Sequence, residues 1–209
     1  MSCTDYAELT ATVDRLLKER YSARYYLPDP VDKPWKVYCI AGSVRDAISA
    51  EMVAADKSKV PYKARYDYFP PVLPAEHAAR KFDFGQLSLA RWDEFFDAPV
   101  ALIFTIHGEL VQGSWMDLGH PMARMASAQA GYFMQSVTIG LRARGLEPVT
   151  QLSIPQYDDI IRKHLKTIPD THIVACGMAL GYPDLEKVKE NYVFPKKLQL
   201  GEVLEVHGM

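Results

Sequence analysis

The sequence predicts a layered α+β domain spanning residues 1–209, and three observations carry that expectation. A chain of 209 residues with 48% hydrophobic content can bury one sizeable core but is too short for two comfortable ones. Strand-like apolar runs and amphipathic segments alternate loosely along it, without an internal repeat or a low-complexity stretch. One run, PVALIFTIHG, is continuous in apolar residues between Pro99 and Gly108, the pattern of a strand buried on both faces, and so predicts a central sheet position.

From Tyr6, residues Leu9, Val13, Leu16 and Leu17 share one helical stripe, which predicts a first amphipathic helix ending near Lys18, Glu19 and Arg20. Pro28, Pro30 and Pro34 then force an extended path into a strand from Trp35 to Ile40, closed by Gly42. Ser43 and Asp46 resemble a capping box opening a second helix through Ile48 and Met52. The segment VPYKARYDYFPPVLP reads as loop. Beyond the central strand, Phe133, Val137 and Leu141 predict a helix that stops at Gly145. Ser153, Pro155 and Gln156 read as N-cap, first-turn proline and capping-box partner of a helix through Tyr157, Ile160, Ile161 and Leu165. THIVACGMALG predicts a further buried strand, and VLEV near the C-terminus a last one.

Composition removes several function classes. A net charge of −2 and no basic run give no footprint for a phosphate backbone, so nucleic acid is not an expected partner. The first twenty residues match neither a signal peptide nor a transit peptide, and no apolar run is long enough to span a bilayer, so no membrane association and a cytoplasmic address are expected. Cys3, Cys39 and Cys176 are odd in number and lack a CxxC, which points to reduced thiols. His77, His107, His120, His164, His172 and His207 show no metal-ligand spacing, so no protein metal site is expected. No GxSxG elbow, phosphate loop or GxGxxG follows a strand, which weighs against hydrolase, NTPase and Rossmann dehydrogenase chemistry.

A basic, hydroxyl-bearing cluster remains at the end of the first helix: Arg20, Ser22 and Arg24 in RYSAR. Guanidinium forks and a short hydroxyl are what an anionic phosphate requires. The same arginines also read as dipole partners closing a helix C-terminus on a solvated face, and the cluster alone leaves both readings open.

The chain resembles the nitroreductase family in RYSARYYLPDPV, PWKVYCIAG, YDYFPP, FFDAPVALIFTI, QGSWMDLGH, FMQSVTIGLRARGLEPVTQLSIPQYDDIIRKHL and IVACGMALGYPD, in family order over nearly its whole length. The resemblance implies a three-layer fold, its central sheet mixed but mainly antiparallel and flanked by helices, in an intertwined homodimer with FMN at each of two subunit interfaces. It assigns Arg20, Ser22 and Arg24 to the flavin clamp, and Pro148, Val149, Thr150 and Gln151 to a turn whose backbone lies beside the isoalloxazine near N5. Lys196 and Lys197 match late basic residues that complete the phosphate site, usually arginines, and Gly181, Tyr182 and Pro183 match a structural turn. Implied too is ping-pong transfer from NADH or NADPH to a nitroaromatic or quinone-like acceptor, with the flavin N5 carrying the chemistry and no catalytic side chain. Arg24 would stabilise the charge of reduced flavin and raise its potential. Trp115 and the tyrosines near Tyr66 read as pocket lining or as core.

Three departures accompany the resemblance. The family's helix and loop ahead of PWKVYCIAG are absent, with Lys33 running straight into Pro34; the helical excursion between His77 and Phe95 is short; and PMARMASAQAGY, residues 121–132, reads as an insertion before a core helix. Two functional expectations follow: an active NAD(P)H-dependent FMN oxidoreductase, or a catalytically impaired variant that binds FMN weakly or not at all and serves as a non-catalytic dimer partner.

Overall fold

The structure, a computed structural model, describes residues 3–19, 35–59, 72, 75, 92–108, 121–191 and 204–207. Helix α1 (Cys3–Glu19) precedes strand β1 (Trp35–Ala41), helix α2 (Gly42–Lys57), a 3-10 segment (Trp92–Asp97) and strand β2 (Val100–His107). Then come α3 (Pro121–Ala143), β3 (Glu147–Gln151), a second 3-10 segment (Ile154–Tyr157), α4 (Asp158–His164), β4 (His172–Gly181) and α5 (Leu185–Asn191). The described strands form one four-stranded sheet in the order β1-β2-β4-β3, with every pairing antiparallel. The α+β class and the interior place of PVALIFTIHG are as the sequence implies, since β2 is paired on both edges.

Helices cover both faces of this sheet. On one, Ile40, Ala101, Ile103, Val174 and Ala179 pack against Ile48 and Met52 of α2 and against Ile154, Tyr157 and Ile161 of the 3-10 segment and α4. Each such side chain removed from water contributes about 1.5–3 kcal/mol. Gly177 makes that packing possible: a Cβ there would lie 2.5 Å from Ile154 Cγ1, so the turn seats directly on the strand. On the other face Phe104, Cys176 and Met178 meet Phe133, Met134, Val137 and Leu141, one stripe of α3 at helical spacing. Trp35 stacks on Phe133 with centroids 5.8 Å apart.

Register along β4 is corrected once. The ladder slips between Phe104 and Thr105, pairing Phe104 with Cys176 and Thr105 with Val174, so Ala175 is an extra residue on the bulged strand. Without the bulge Ile173 and Val174 would exchange faces, because side chains alternate with period two.

Gly145 ends α3 as the sequence implies. Its φ of +76° is a left-handed value open to glycine, and its N–H bonds Arg142 O at 3.0 Å while Leu146 N–H bonds Leu141 O at 3.1 Å. Helix α1 docks on this end: Thr10 Oγ1 donates to Ala143 O at 2.8 Å, and Arg144 bridges Asp14 at 2.5 Å and Gly140 O at 2.8 Å.

Several local expectations are corrected. Strand β1 runs directly into α2 with Ala41 as extended N-cap (φ −153°, ψ 169°), so Ser43 is already inside the first turn and makes no capping bond. Ser153 does precede the 3-10 turn with Pro155 in it, but its own backbone is helical (φ −76°, ψ −22°), which leaves its side chain without a capping bond. Helix α3 begins at Pro121, so residues 121–132 continue the core helix as its N-terminal half. Of VLEV, Leu204, Glu205 and Val206 form no strand, and Val203 lies outside the described residues. Pro148, Val149, Thr150 and Gln151, assigned to a turn by resemblance, fall in strand β3 (Glu147–Gln151) instead. VPYKARYDYFPPVLP falls almost entirely outside the described residues, as does the shortened region before Trp92.

Candidate functional site

Strand β3 is an edge. It pairs residue for residue with one side of β4, from Glu147 opposite Gly181 to Gln151 opposite Gly177, and no described strand meets its other side. Pro148 is at home there, since a residue without an N–H is tolerated on edge strands. Val149 and Thr150 are exposed, and Gln151 is buried. Val149 is 45% and Leu152 53% exposed, so the edge presents apolar side chains beside a backbone row that no described strand pairs.

No acid, base or nucleophile on this strand is placed for chemistry. Glu147 is held by Arg142 at 3.1 Å in an exposed ion pair. Behind the strand, the Cys176 thiol lies 3.7 Å from Gln151 O, and burial pushes its pKa up to about 12. It is therefore protonated at physiological pH and unreactive.

The remaining assigned residues divide plainly. Arg20, Ser22 and Arg24 follow α1 and lie outside the described residues, as do Lys196, Lys197, Trp115 and Tyr66. Gly181 closes β4 with Pro99 packed so near that a Cβ would lie 2.9 Å from Pro99 Cδ, which agrees with a packing role for the Gly181–Tyr182–Pro183 turn. A groove of about 530 Å³ runs along α2 between Arg45 and Lys57, with Asp97 at its rim. It is open and shallow, and no residue of β3 lines it. Among the described residues no group of three or more His, Cys, Asp or Glu side chains could hold a metal, and no helix is long and apolar enough to cross a membrane.

At the end of the sheet near His172 lies a buried ion pair that the sequence reading missed. Asp158 Oδ2 accepts from Arg162 Nε at 2.6 Å and its Oδ1 accepts from Val174 N–H at 3.1 Å, while Arg162 also donates to the carbonyls of Pro169 and His172. The signal was present as an i, i+4 acid–arginine spacing in IPQYDDIIRKH. It serves to fasten α4 to the start of β4, and nothing places it in catalysis.

Known proteins give a consistent picture. The model of the nitroreductase family matches residues 33–182. A nitrobenzene nitroreductase of Ectopseudomonas oleovorans is 30% identical over 206 residues, covering 90% of this chain and 85% of that protein. A 4-nitrobenzoate reductase of Pseudomonas putida is 25% identical over 232 aligned residues, covering 93% and 96%. That alignment is longer than the 209 residues available, so the relative holds segments for which this chain has no counterpart. Among solved structures, the FMN-dependent nitroreductase NfnB from Mycobacterium smegmatis in complex with NADPH superposes with a TM-score of 0.68 at 18% identity, covering 96% of this chain and 100% of that one. At this identity the likeness speaks for the fold.

Proposed function

This chain belongs to the nitroreductase family, and from that premise we propose that it is an oxidoreductase using FMN to pass electrons from NADH or NADPH to a nitroaromatic or quinone-like acceptor. The observation that supports the proposal is the β3 edge at Pro148–Gln151, where Val149 and Thr150 are exposed and no described strand pairs the outer side, in a chain whose relatives are nitroreductases. FMN, when bound, would supply the two-electron redox chemistry of a ping-pong scheme, which needs no catalytic side chain from this chain. The protein's part is to bind and orient. Pro148, Val149, Thr150 and Gln151 would lie along the ring; Arg20, Ser22, Lys196 and Lys197 would hold the phosphate; and Arg24 would face the pyrimidine edge, where a fixed cation favours the reduced state. Exposed Leu16, Tyr132, Ile139, Val149 and Leu152 are apolar surface that a homodimer would cover, with a cytoplasmic address and one domain over residues 1–209 completing the reading.

The absorbance spectrum of the purified protein tests this most directly. A yellow preparation whose flavin bleaches with NADH or NADPH and recovers on adding 4-nitrobenzoate or nitrobenzene is the expected result. Protein that is colourless and takes up no added FMN replaces this reading with that of a non-catalytic partner, which the unmatched segments favour. Arg20→Ala should weaken FMN binding by about ten- to a hundredfold, and Arg24→Ala should also lower the flavin midpoint potential.

A further inference from the structure

A second polar cluster lies where β1 and β4 begin and β2 ends. His107 and His172 are directly opposite in the β2–β4 ladder, and their rings meet edge to face with centroids 5.6 Å apart. Thr105 lies opposite Lys36 in the β1–β2 ladder. Its hydroxyl is 3.2 Å from Lys36 O and 3.0 Å from His172 Nδ1. A hydroxyl has one proton, and Lys36 O can only accept, so both bonds form together when His172 Nδ1 carries a hydrogen. Nε2 of His172 is then free to take a second proton.

Charge in this corner is one-sided. Burial first, and then the positive charge that His107, Lys36 and Arg162 carry when protonated, hold the pKa of His172 below the usual histidine value. Arg162 is already committed to Asp158, whose other oxygen is held by Val174 N–H. Of the neighbouring acids on packed elements, Glu51 of α2 is bound by Lys163 and His164, and Asp170 is exposed in the turn before β4 without an ion pair among the described residues. His107 Nδ1 is buried and has no hydrogen-bond partner among the described residues. Lys36, with its ammonium over the Tyr38 ring at 5.2 Å, is exposed and makes no ion pair there.

We propose that Lys36, His107 and His172 form a binding site for a small oxyanion, the chemistry shared by a phosphate or sulfate group and a carboxylate. An ammonium and two imidazoles able to protonate would supply charge-assisted donors from three adjacent strands, and an anion between them turns mutual repulsion into attraction. Binding is linked to protonation of His172, so the site strengthens as pH falls below the usual histidine value.

Sulfate and benzoate, each of fixed charge near neutrality, are separate probes for titration into the full-length protein about one pH unit below and one above the usual histidine value of about 6.5. Thermal midpoint and histidine ring-proton NMR shifts are the readouts. A saturable midpoint rise, larger on the acid side, with affinity reduced at least about tenfold in Lys36→Gln and in His107→Gln, is the expected result. Saturation by sulfate alone identifies a phosphate-type ligand, and saturation by benzoate a carboxylate. A rise that does not saturate and is equal in parent and variants is the general effect of an excluded salt and overturns the site, as does no rise. Should either variant fail to fold, ring shifts of His107 and His172 that neither probe moves in the parent overturn it equally.

Discussion

The two ends of the β4 sequence face opposite physical problems. Where β4 begins, Asp158 is buried, doubly bonded and paired with Arg162, and midway along the strand a 3-10 turn sits on Gly177 without room for one more carbon. Along β3, paired to the later half of β4, Val149 is exposed and no described strand meets the outer edge. Tight, self-satisfied packing is what holds a sheet in place, whereas an uncovered edge gains its stability from whatever binds there. The difference teaches that stability and proposed function are carried by different residues of one sheet, so substitutions should separate them.

Asp158→Ala should have the largest effect. It leaves the guanidinium of Arg162 unpaired in a nearly closed site, with side chains 14% and 3% exposed for arginine and acid, and breaking such a pair costs about 3–5 kcal/mol. Urea unfolding would report it as a lower midpoint with little change in slope. A loss below about 1 kcal/mol would mean that water reaches this pair and that the two regions differ less than their burial indicates.

Gly177→Ala comes next. The added methyl must displace Ile154, and overpacking of this kind costs about 1–3 kcal/mol. Ile154→Ala in the same chain should recover part of the loss introduced by the glycine change, because the two atoms in conflict are then separated. Strict additivity of the two changes would show that the turn shifts freely and that the close seating is not a constraint.

How much of this was legible in the sequence depended on whether the pattern was local. PVALIFTIHG announced a doubly covered strand, and Gly145 a helix end, because each signal lies within a few residues of its consequence. Ser43 and Ser153 had the right composition for caps, yet backbone conformation at the preceding strand and at Ser153 itself decided otherwise. Pro148–Gln151 are assigned to a turn only by resemblance, and a segment this short becomes a strand because β4 offers it an edge. His107 and His172 could be brought together only by strand register, including the bulge at Ala175, which composition does not encode. Of the proposed flavin site, the Pro148–Gln151 portion falls on described backbone, while the RYSAR cluster and Lys196–Lys197 rest on resemblance.

Acid should affect the well-packed end before the edge. The folded pKa of His172 lies below its unfolded value, so the unfolded chain binds more protons in the interval between them and stability rises with pH there. Its contribution is fully present above about pH 6.5 and is lost as pH falls toward the folded value. Glu51, held low by Lys163 and His164, adds a second loss at lower pH, below the usual carboxylate value of 4.5. Replacement of His172 by Gln should flatten the first decline of the unfolding midpoint and leave the second, whereas an unchanged profile would remove His172 from the titration.

The smallest expected effect on folding, and the sharpest contrast with Asp158, is at Val149. At 45% exposure this side chain adds little to the sheet, and exposed substitutions usually stay within about 0.5 kcal/mol, so Val149→Ser should scarcely move the unfolding midpoint of flavin-free protein. If the β3 edge is covered by the flavin ring or by a partner subunit, the same substitution removes apolar contact there and puts a hydroxyl against it. Flavin retention after gel filtration, or the dimer dissociation constant, should then fall while folding stability does not. The order of effects on folding, Asp158 first and Val149 last, would thus reverse when binding is measured. A Val149→Ser protein that keeps its flavin and its assembly state at parental strength would leave the edge solvated, and the proposed site would have to be sought away from β3.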